Sequence, residues 1–300
     1  MANVRDFRTR IRSVKSTQQI TRAMKLVAAA RLRRSQDRVV TARPYARKMA
    51  EVLASLASRA DPVLHPLLAR RPEERVLVVV ITADKGLCGS FNTNIVDRAR
   101  RELDLLRDRQ VQVDLIGKKG RDWFRRRDYR TRRVIVDLFR NVTLDQAKDV
   151  AGDLMRVFVA GEFDAVRLIY NEFKSVIQQR VVVEPLLPIP RAALGDAIAG
   201  ASSSAGAPAA EHNGGLDYIY EPGAEAIFAA LLPKHVEVQV YRALLESSAA
   251  EHGARMAAMD NATRNAGEMI SSLTLQMNKI RQAAITKEIL EVVSGAEALK

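Results

Sequence analysis

A heptad pattern of apolar residues runs through the first sixty residues of the chain. Between Val4 and Leu56 there are 16 positions spaced alternately by three and four residues, and 12 of them are apolar. This spacing puts one apolar stripe on a helix and predicts a long coiled-coil helix. The polar exceptions are Gln18, Thr21, Lys25 and Ser35. Across that stretch we expect the stripe to shift to Ile20, Met24 and Val27, as a helix does when it drifts off a strict seven-residue repeat.

The same spacing returns near the carboxyl end, where eight of ten register positions from Met256 to Lys287 are apolar. No proline and only two glycines fall between residues 234 and 294, so the pattern predicts one helix of roughly 60 residues. Pro44 lies inside the first pattern, where we expect a bend near residues 40–44 and not a stop. Because each helix must bury its stripe, the simplest arrangement pairs the two in an antiparallel coiled coil.

The middle of the chain alternates short apolar strands with helical segments. This alternation predicts a central, mostly parallel α/β Rossmann-like domain. Strands are predicted at 75–82, 111–116, 133–137, 164–170 and 180–187, with helices at 93–109 and 143–160. We therefore expect an α/β fold plus a long antiparallel coiled coil. Its first part is a long helix over 1–60, and the central domain covers 70–194. A flexible linker over 195–216 follows, and it includes the small, low-complexity stretch 195–215. A second long helix over 217–300 pairs with the first, and together the two helices form a shaft.

Charge is concentrated at the amino end. Residues 1–60 hold 15 Lys and Arg against 3 Asp and Glu, a net charge of +12, in a chain whose total is +13. This asymmetry favours an acidic partner, which could be nucleic acid, anionic lipid or an acidic protein surface, and a solvated helix face is the plain alternative. The chain has no signal-peptide pattern and no long uncharged apolar run, so we expect it to be soluble and intracellular.

Catalytic and ligand-binding patterns are weak. The loop ADKGLCGS after the first strand matches neither GxGxxG nor GxxxxGK[ST], which argues against a nucleotide site. Cys88 in this loop has no histidine nearby in sequence to activate it, so a buried thiol is the better interpretation. The four histidines are isolated, and the methionines of the last helix are packing residues by their spacing. We predict no cofactor and no metal.

Several blocks together resemble the γ subunits of rotary F-type ATP synthases, and the likeness spans nearly the whole chain. The terminal blocks are IRSVKSTQQITRAMKLVAAARLRRSQ at 11–36 and ITKEILEVVSGAEA at 285–298. Between them TADKGLCGSFN (82–92), LPIP (187–190), DYIYEP (217–222), VEVQVYRALLES (236–247) and ARMAAMDNATRNA (254–266) follow the family's order. The linker stretch is longer than many family members need, and a single cysteine excludes the chloroplast thiol switch, so the chain is similar to bacterial members.

The resemblance implies a rotor. In this family the shaft enters a ring of three α and three β subunits, and its last residues sit in an apolar bearing. The central domain binds the ε subunit and stands on the membrane c-ring, which proton flow turns. Catalytic residues belong to β, so the chain itself would be non-catalytic, peripheral, and at the cytoplasmic face of the inner membrane.

The resemblance also points to particular residues. Arg255 and Gln282 look like contacts with a loop of β, and Met24 lies near the β lever region. Tyr218, Tyr220 and Glu221 look like part of the foot on the c-ring. The basic amino-terminal helix would face an acidic helix-turn-helix of β. Solvated, packed or ordinary loop side chains are the alternatives at these positions.

Two other classes of function stay open. A basic coiled-coil protein that binds nucleic acid would show steep salt dependence, although residues 1–60 offer only Phe7 and Tyr45 as aromatic platforms. An α/β enzyme that uses Cys88 would lose turnover on Cys88→Ser.

Overall fold

The computed structural model describes residues 4–57, 65–175, 178–190 and 223–297. The chain divides into two compact units, one of Met1–Ala30 with Arg255–Lys300 and one of Arg31–Ala254. Residues 195–215, predicted to be a linker, and the predicted foot residues Tyr218, Tyr220 and Glu221 lie outside the described residues.

Two long helices occupy the ends of the chain. Helix α1 covers Val4–Ala57, and helix α5 covers Ala224–Glu297. The first helix continues through Pro44, as expected. The second lies within the predicted range 217–300 and contains Pro233 near its start. Proline inside a helix costs one backbone hydrogen bond, so burial of the flanking Leu232 and Val236, both 0% exposed, has to outweigh that loss.

The second unit is built on a five-stranded sheet. Its strands are β1 (Arg75–Ile81), β2 (Gln110–Ile116), β3 (Thr131–Ile135), β4 (Ala165–Phe173) and β5 (Gln179–Leu187). They are arranged in the order β3-β2-β1-β4-β5. Pairings β1–β2, β2–β3 and β1–β4 are parallel, and only β4–β5 is antiparallel. This confirms the prediction of a mostly parallel sheet.

Shorter helices connect the strands. They are α2 (Phe91–Leu105), α3 (Lys118–Phe124) and α4 (Leu144–Val159), with 3-10 turns at Pro66–Leu68 and Leu138–Arg140. Helix α4 starts with a capping box, in which Thr143 and Gln146 each bond the other's backbone amide. Predicted boundaries for these elements differ from the observed ones by a few residues, which is the usual uncertainty at helix and strand ends.

Both faces of the sheet are covered. Successive side chains of β1 point to opposite faces, so its continuous apolar run serves two cores. Leu77, Val79 and Ile81 pack in one cluster with residues of α1, α4 and α5. Val76, Val78 and Val80 pack in the other with α2 and Phe124. The α/β layering predicted from the sequence is therefore the layering observed.

Candidate functional site: the paired terminal helices

The seam between α1 and α5 in the first unit runs antiparallel. The hydroxyl oxygens of Thr21 and Thr263 lie 2.8 Å apart, and Lys25 Nζ lies 2.6 Å from Asp260 Oδ1. The Gln18 amide donates to the carbonyl of Thr263 at 3.4 Å. As the number rises on one helix it falls on the other, which is the predicted sense of pairing.

All 16 register positions of α1 are buried or half-buried, including the four polar ones. The expected shift of the stripe in the polar stretch is wrong, because Ile20 is 57% and Val27 54% exposed while Thr21 is 8% exposed. The physical reason is that the polar side chains find partners on α5. A hydroxyl pair and an ion pair hold the register where apolar packing is missing.

The ion pair in this seam changes the pKa of its carboxylate. The hydrogen bond from Lys25 is the main reason that the pKa of Asp260 is lowered; desolvation opposes it, and the charges of Lys25 and of Arg264 at 3.8 Å lower the pKa further. Both side chains are about two-fifths exposed, at 41% and 40%. A pair this exposed aligns the two helices more than it stabilises them.

The three described candidate contact residues occupy different environments. Met24 is half-buried on α1, and Gln282 is exposed on α5. Arg255 is only 9% exposed within the chain, so little of its side chain is offered to a partner. These three residues therefore lie on one helix pair but in three different environments.

The carboxyl end of α5 carries an exposed apolar stripe that the heptad count missed. Residues 281–295 are all exposed, including the last register positions Ala284 and Lys287. Five large apolar side chains there are about half or more exposed: Ile285, Ile289, Leu290, Val292 and Val293. Spacings of three and four residues in the block ITKEILEVV could have revealed this stripe, since residues so spaced share a helix face. Contiguous exposed apolar residues mark an interaction surface.

The part of α1 that lies in the first unit carries many exposed positive charges. Six cationic residues of the first unit are exposed on α1: Arg5, Arg8, Arg10, Arg12, Lys15 and Arg22. The predicted basic surface is therefore accessible to an acidic partner.

The loop with Cys88 offers no accessible nucleophile. Cys88 is 1% exposed, as predicted, and its sulfur accepts a hydrogen bond from the Asn92 amide at 3.1 Å. Across the described ranges, no group of three or more His, Cys, Asp and Glu side chains is placed to hold a metal ion. No helix in the described part of the chain is long and apolar enough to cross a bilayer.

The comparisons with known proteins agree with this arrangement. The family model described as ATP synthase matches residues 3–299. The ATP synthase gamma chain of Anaeromyxobacter sp. strain Fw109-5 is 50% identical over 305 residues, covering 100% of both chains. The chain belongs to the ATP synthase γ-chain family. It is therefore a subunit of an ATP synthase, the resemblance found in the sequence is confirmed, and neither the nucleic-acid nor the Cys88 alternative gains support.

Other matches extend the same picture. The gamma chain of Prosthecochloris aestuarii is 48% identical, covering 100% of this chain and 99% of that one. A chain from the central stalk and c-ring structure of the Tetrahymena thermophila mitochondrial ATP synthase is 30% identical, with a TM-score of 0.58, and covers 81% of this chain and 99% of that one. A chain from the Euglena gracilis enzyme, at 22% identity and TM-score 0.67, covers 99% and 94% and supports the fold alone.

Proposed function

We propose that this chain is the central rotor shaft of an F-type ATP synthase. The observation that carries the proposal is the antiparallel seam of α1 and α5, with its paired hydroxyls and ion pair. A shaft must transmit torque without shearing, and many interlocked side chains along two helices supply stiffness through small, numerous contacts. Membership of the γ-chain family supports the same role.

In this role the chain couples proton-driven rotation of the c-ring to ATP synthesis on three β subunits. Its partners are the α and β subunits of the ring, the ε subunit and the c-ring. A shaft can bias each β subunit only through unequal contacts with that subunit's conformations. The apolar stripe from Ile285 to Val293 and the exposed cationic residues of α1 give the shaft two chemically different surfaces.

We assign the contacts with β to Met24, Arg255 and Gln282, and the foot on the c-ring to Tyr218, Tyr220 and Glu221. The exposure of Gln282 supports its assignment. The exposed arginines of α1 would meet an acidic surface of β through weak, salt-sensitive contacts, which suit a part that turns. The chain is non-catalytic in this proposal, and it sits peripherally at the cytoplasmic face of the inner membrane.

Co-expression with the α and β subunits tests the proposal. The expected result is a complex with one copy of this chain per three of each partner, which hydrolyses ATP, while the chain alone shows no turnover. Gln282→Ala should lower the ATPase rate of the assembled complex several-fold, whereas Gln276→Ala, at another exposed glutamine of the same helix, should change it less. A chain that stays separate from α and β on sizing would refute the assignment.

A further inference from the structure

A small cleft in the second unit is lined by none of the individual contact residues assigned above. Its volume is about 190 Å³. Three elements form its wall: the second half of α1, the turn that ends at Arg140, and the middle of α5. The described residues that define its chemistry are Arg31, Arg34, Arg38, Arg140, Ser248 and His252.

The floor of the cleft is buried, and its rim is cationic. Ser248 and His252 are 4% and 5% exposed, and Phe139 and Val142 beside them are also buried. The four arginines are exposed at the rim. A concave site with polar groups at its base and charge at its mouth is shaped for a small ligand more than for a flat protein surface.

The arginines converge because of helix geometry. Positions 31, 34 and 38 lie three, four and seven residues apart, so they share one face of α1, and Arg140 approaches from the turn opposite. Among the described residues that line the cleft there is no carboxylate. The positive charges of these arginines repel one another, so an anion bound between them would reduce that electrostatic repulsion.

One of these guanidinium groups is already held in place. Arg38 donates from Nη1 to the carbonyl of Val142 at 3.1 Å and from Nη2 to Asn141 Oδ1 at 3.0 Å. Ser35 and Ser248 hydroxyl oxygens lie 3.4 Å apart at the base. A guanidinium group that is already held in place loses less conformational freedom when it binds a ligand. Its forked pair of N–H donors can then bind two oxygens of a tetrahedral oxyanion.

We propose that this cleft binds a phosphate group, as inorganic phosphate or pyrophosphate. With a volume of about 190 Å³ the cleft is below the roughly 300 Å³ at which sites for drug-sized ligands begin, so it suits a ligand as small as one or two phosphoryl groups. The arginine forks supply bidentate donors, and Ser248 with His252 completes the polar base. The proposal does not depend on the rotor function.

Isothermal titration of the full-length chain with inorganic phosphate and with pyrophosphate, at constant ionic strength, tests the site. The double variant Arg34→Gln/Arg140→Gln should bind phosphate at least about tenfold more weakly, because charge-assisted hydrogen bonds are lost. Arg34→Lys keeps the charge but not the fork and should also weaken binding. Arg22→Gln, exposed on α1 but outside the cleft, should bind as the parent does.

Thermal unfolding gives a second readout, since a ligand that binds only the folded chain raises the melting temperature. Phosphate should raise it in the parent and in Arg22→Gln, and not in the double variant. Equal stabilisation by chloride at the same ionic strength, or equal binding by all variants, would overturn the proposal. So would binding of an acidic peptide with no binding of phosphate, since the cleft would then serve a protein partner. Circular dichroism checks that each variant is folded, and Arg34→Lys keeps the test valid if the double variant is not.

Discussion

At the scale of single residues, His235 shows how the fold changes a side chain that looks unremarkable in sequence. It is 6% exposed on α5, and its ring lies 3.4 Å from the Gln239 amide nitrogen. Burial, and then repulsion from Arg242, lower its pKa to about 4, while Glu184 opposes the change. The four histidines are isolated along the chain, and their spacing carries no sign of this environment.

A pH-dependent stability follows from that pKa. Because the folded state disfavours the protonated ring, the unfolded state binds more protons between the folded pKa of about 4 and the ordinary value of 6.5. The free energy of unfolding should therefore fall as pH drops through this window, by about 3 kcal/mol at most. Urea titrations at several pH values measure the slope.

The matched variant His235→Gln keeps a polar side chain of similar size but cannot titrate. Its curve should be flatter than that of the parent between pH 4 and 6.5, whatever its absolute stability. Since all carboxylates are common to both proteins, the difference between the two curves isolates His235. Parallel curves would show that His235 does not carry the effect.

At the scale of elements, the heptad register alone predicted which face of α1 is covered. Every register position from Val4 to Leu56 is buried or half-buried, including Lys25 and Ser35. The expected drift toward Ile20 and Val27 failed because it weighed hydrophobicity only. The partners that hold the polar positions, Thr263 and Asp260, lie more than two hundred residues away in the sequence and become neighbours only on folding.

Two adjacent residues of α1 test this register directly. Ala28 is 1% exposed and Val27 is 54% exposed. Ala28→Asp should lower the stability of the isolated chain by about 3 kcal/mol or more, because it buries a charge in the seam. Val27→Asp, the control with the same new side chain, should change it by less than about 0.5 kcal/mol. Equal costs by chemical denaturation would mean that the seam is elsewhere.

The sheet was predictable for a different reason. Short β-branched runs such as 75–81 must be buried on both faces, and alternation with helices leaves a parallel arrangement as the simple solution. The antiparallel pairing of β5 with β4 could not be read from composition, because it depends on the short connection after Phe173. The uninterrupted pattern predicted only the part of α5 after Pro233, whereas packing sustains the helix across this proline from Ala224.

For the whole molecule, the candidate site divides into a part the sequence revealed and a part it hid. The helix pair and its basic face followed from spacing and charge. The exposed stripe from Ile285 to Val293 did not, because a heptad count cannot show where a partner helix stops. Burial of Arg255 was equally invisible, since the heptad spacing does not show which side chains surround a residue in the fold.

Removal of residues 285–300 tests whether the end of α5 contributes to the fold. Because residues 281–295 are exposed, this deletion should shift the melting temperature of the isolated chain by no more than about 2 °C. Met259→Ala, at a position 5% exposed in the seam, should lower it clearly, by the equivalent of about 2–3 kcal/mol. A large loss on deletion would mean that this segment packs within the chain and is not reserved for a partner.

Because Cys88 is deeply buried, a probe can be attached to a new cysteine on the surface without first replacing the native one. Its sulfur is the only thiol in the sequence and is 1% exposed, so maleimide dyes should leave the folded protein unlabelled. A cysteine introduced at Leu105, which is 77% exposed at the end of α2, would then be the sole reactive handle. A fluorophore or bead fixed there would report angular steps of the chain with every native residue except one left in place.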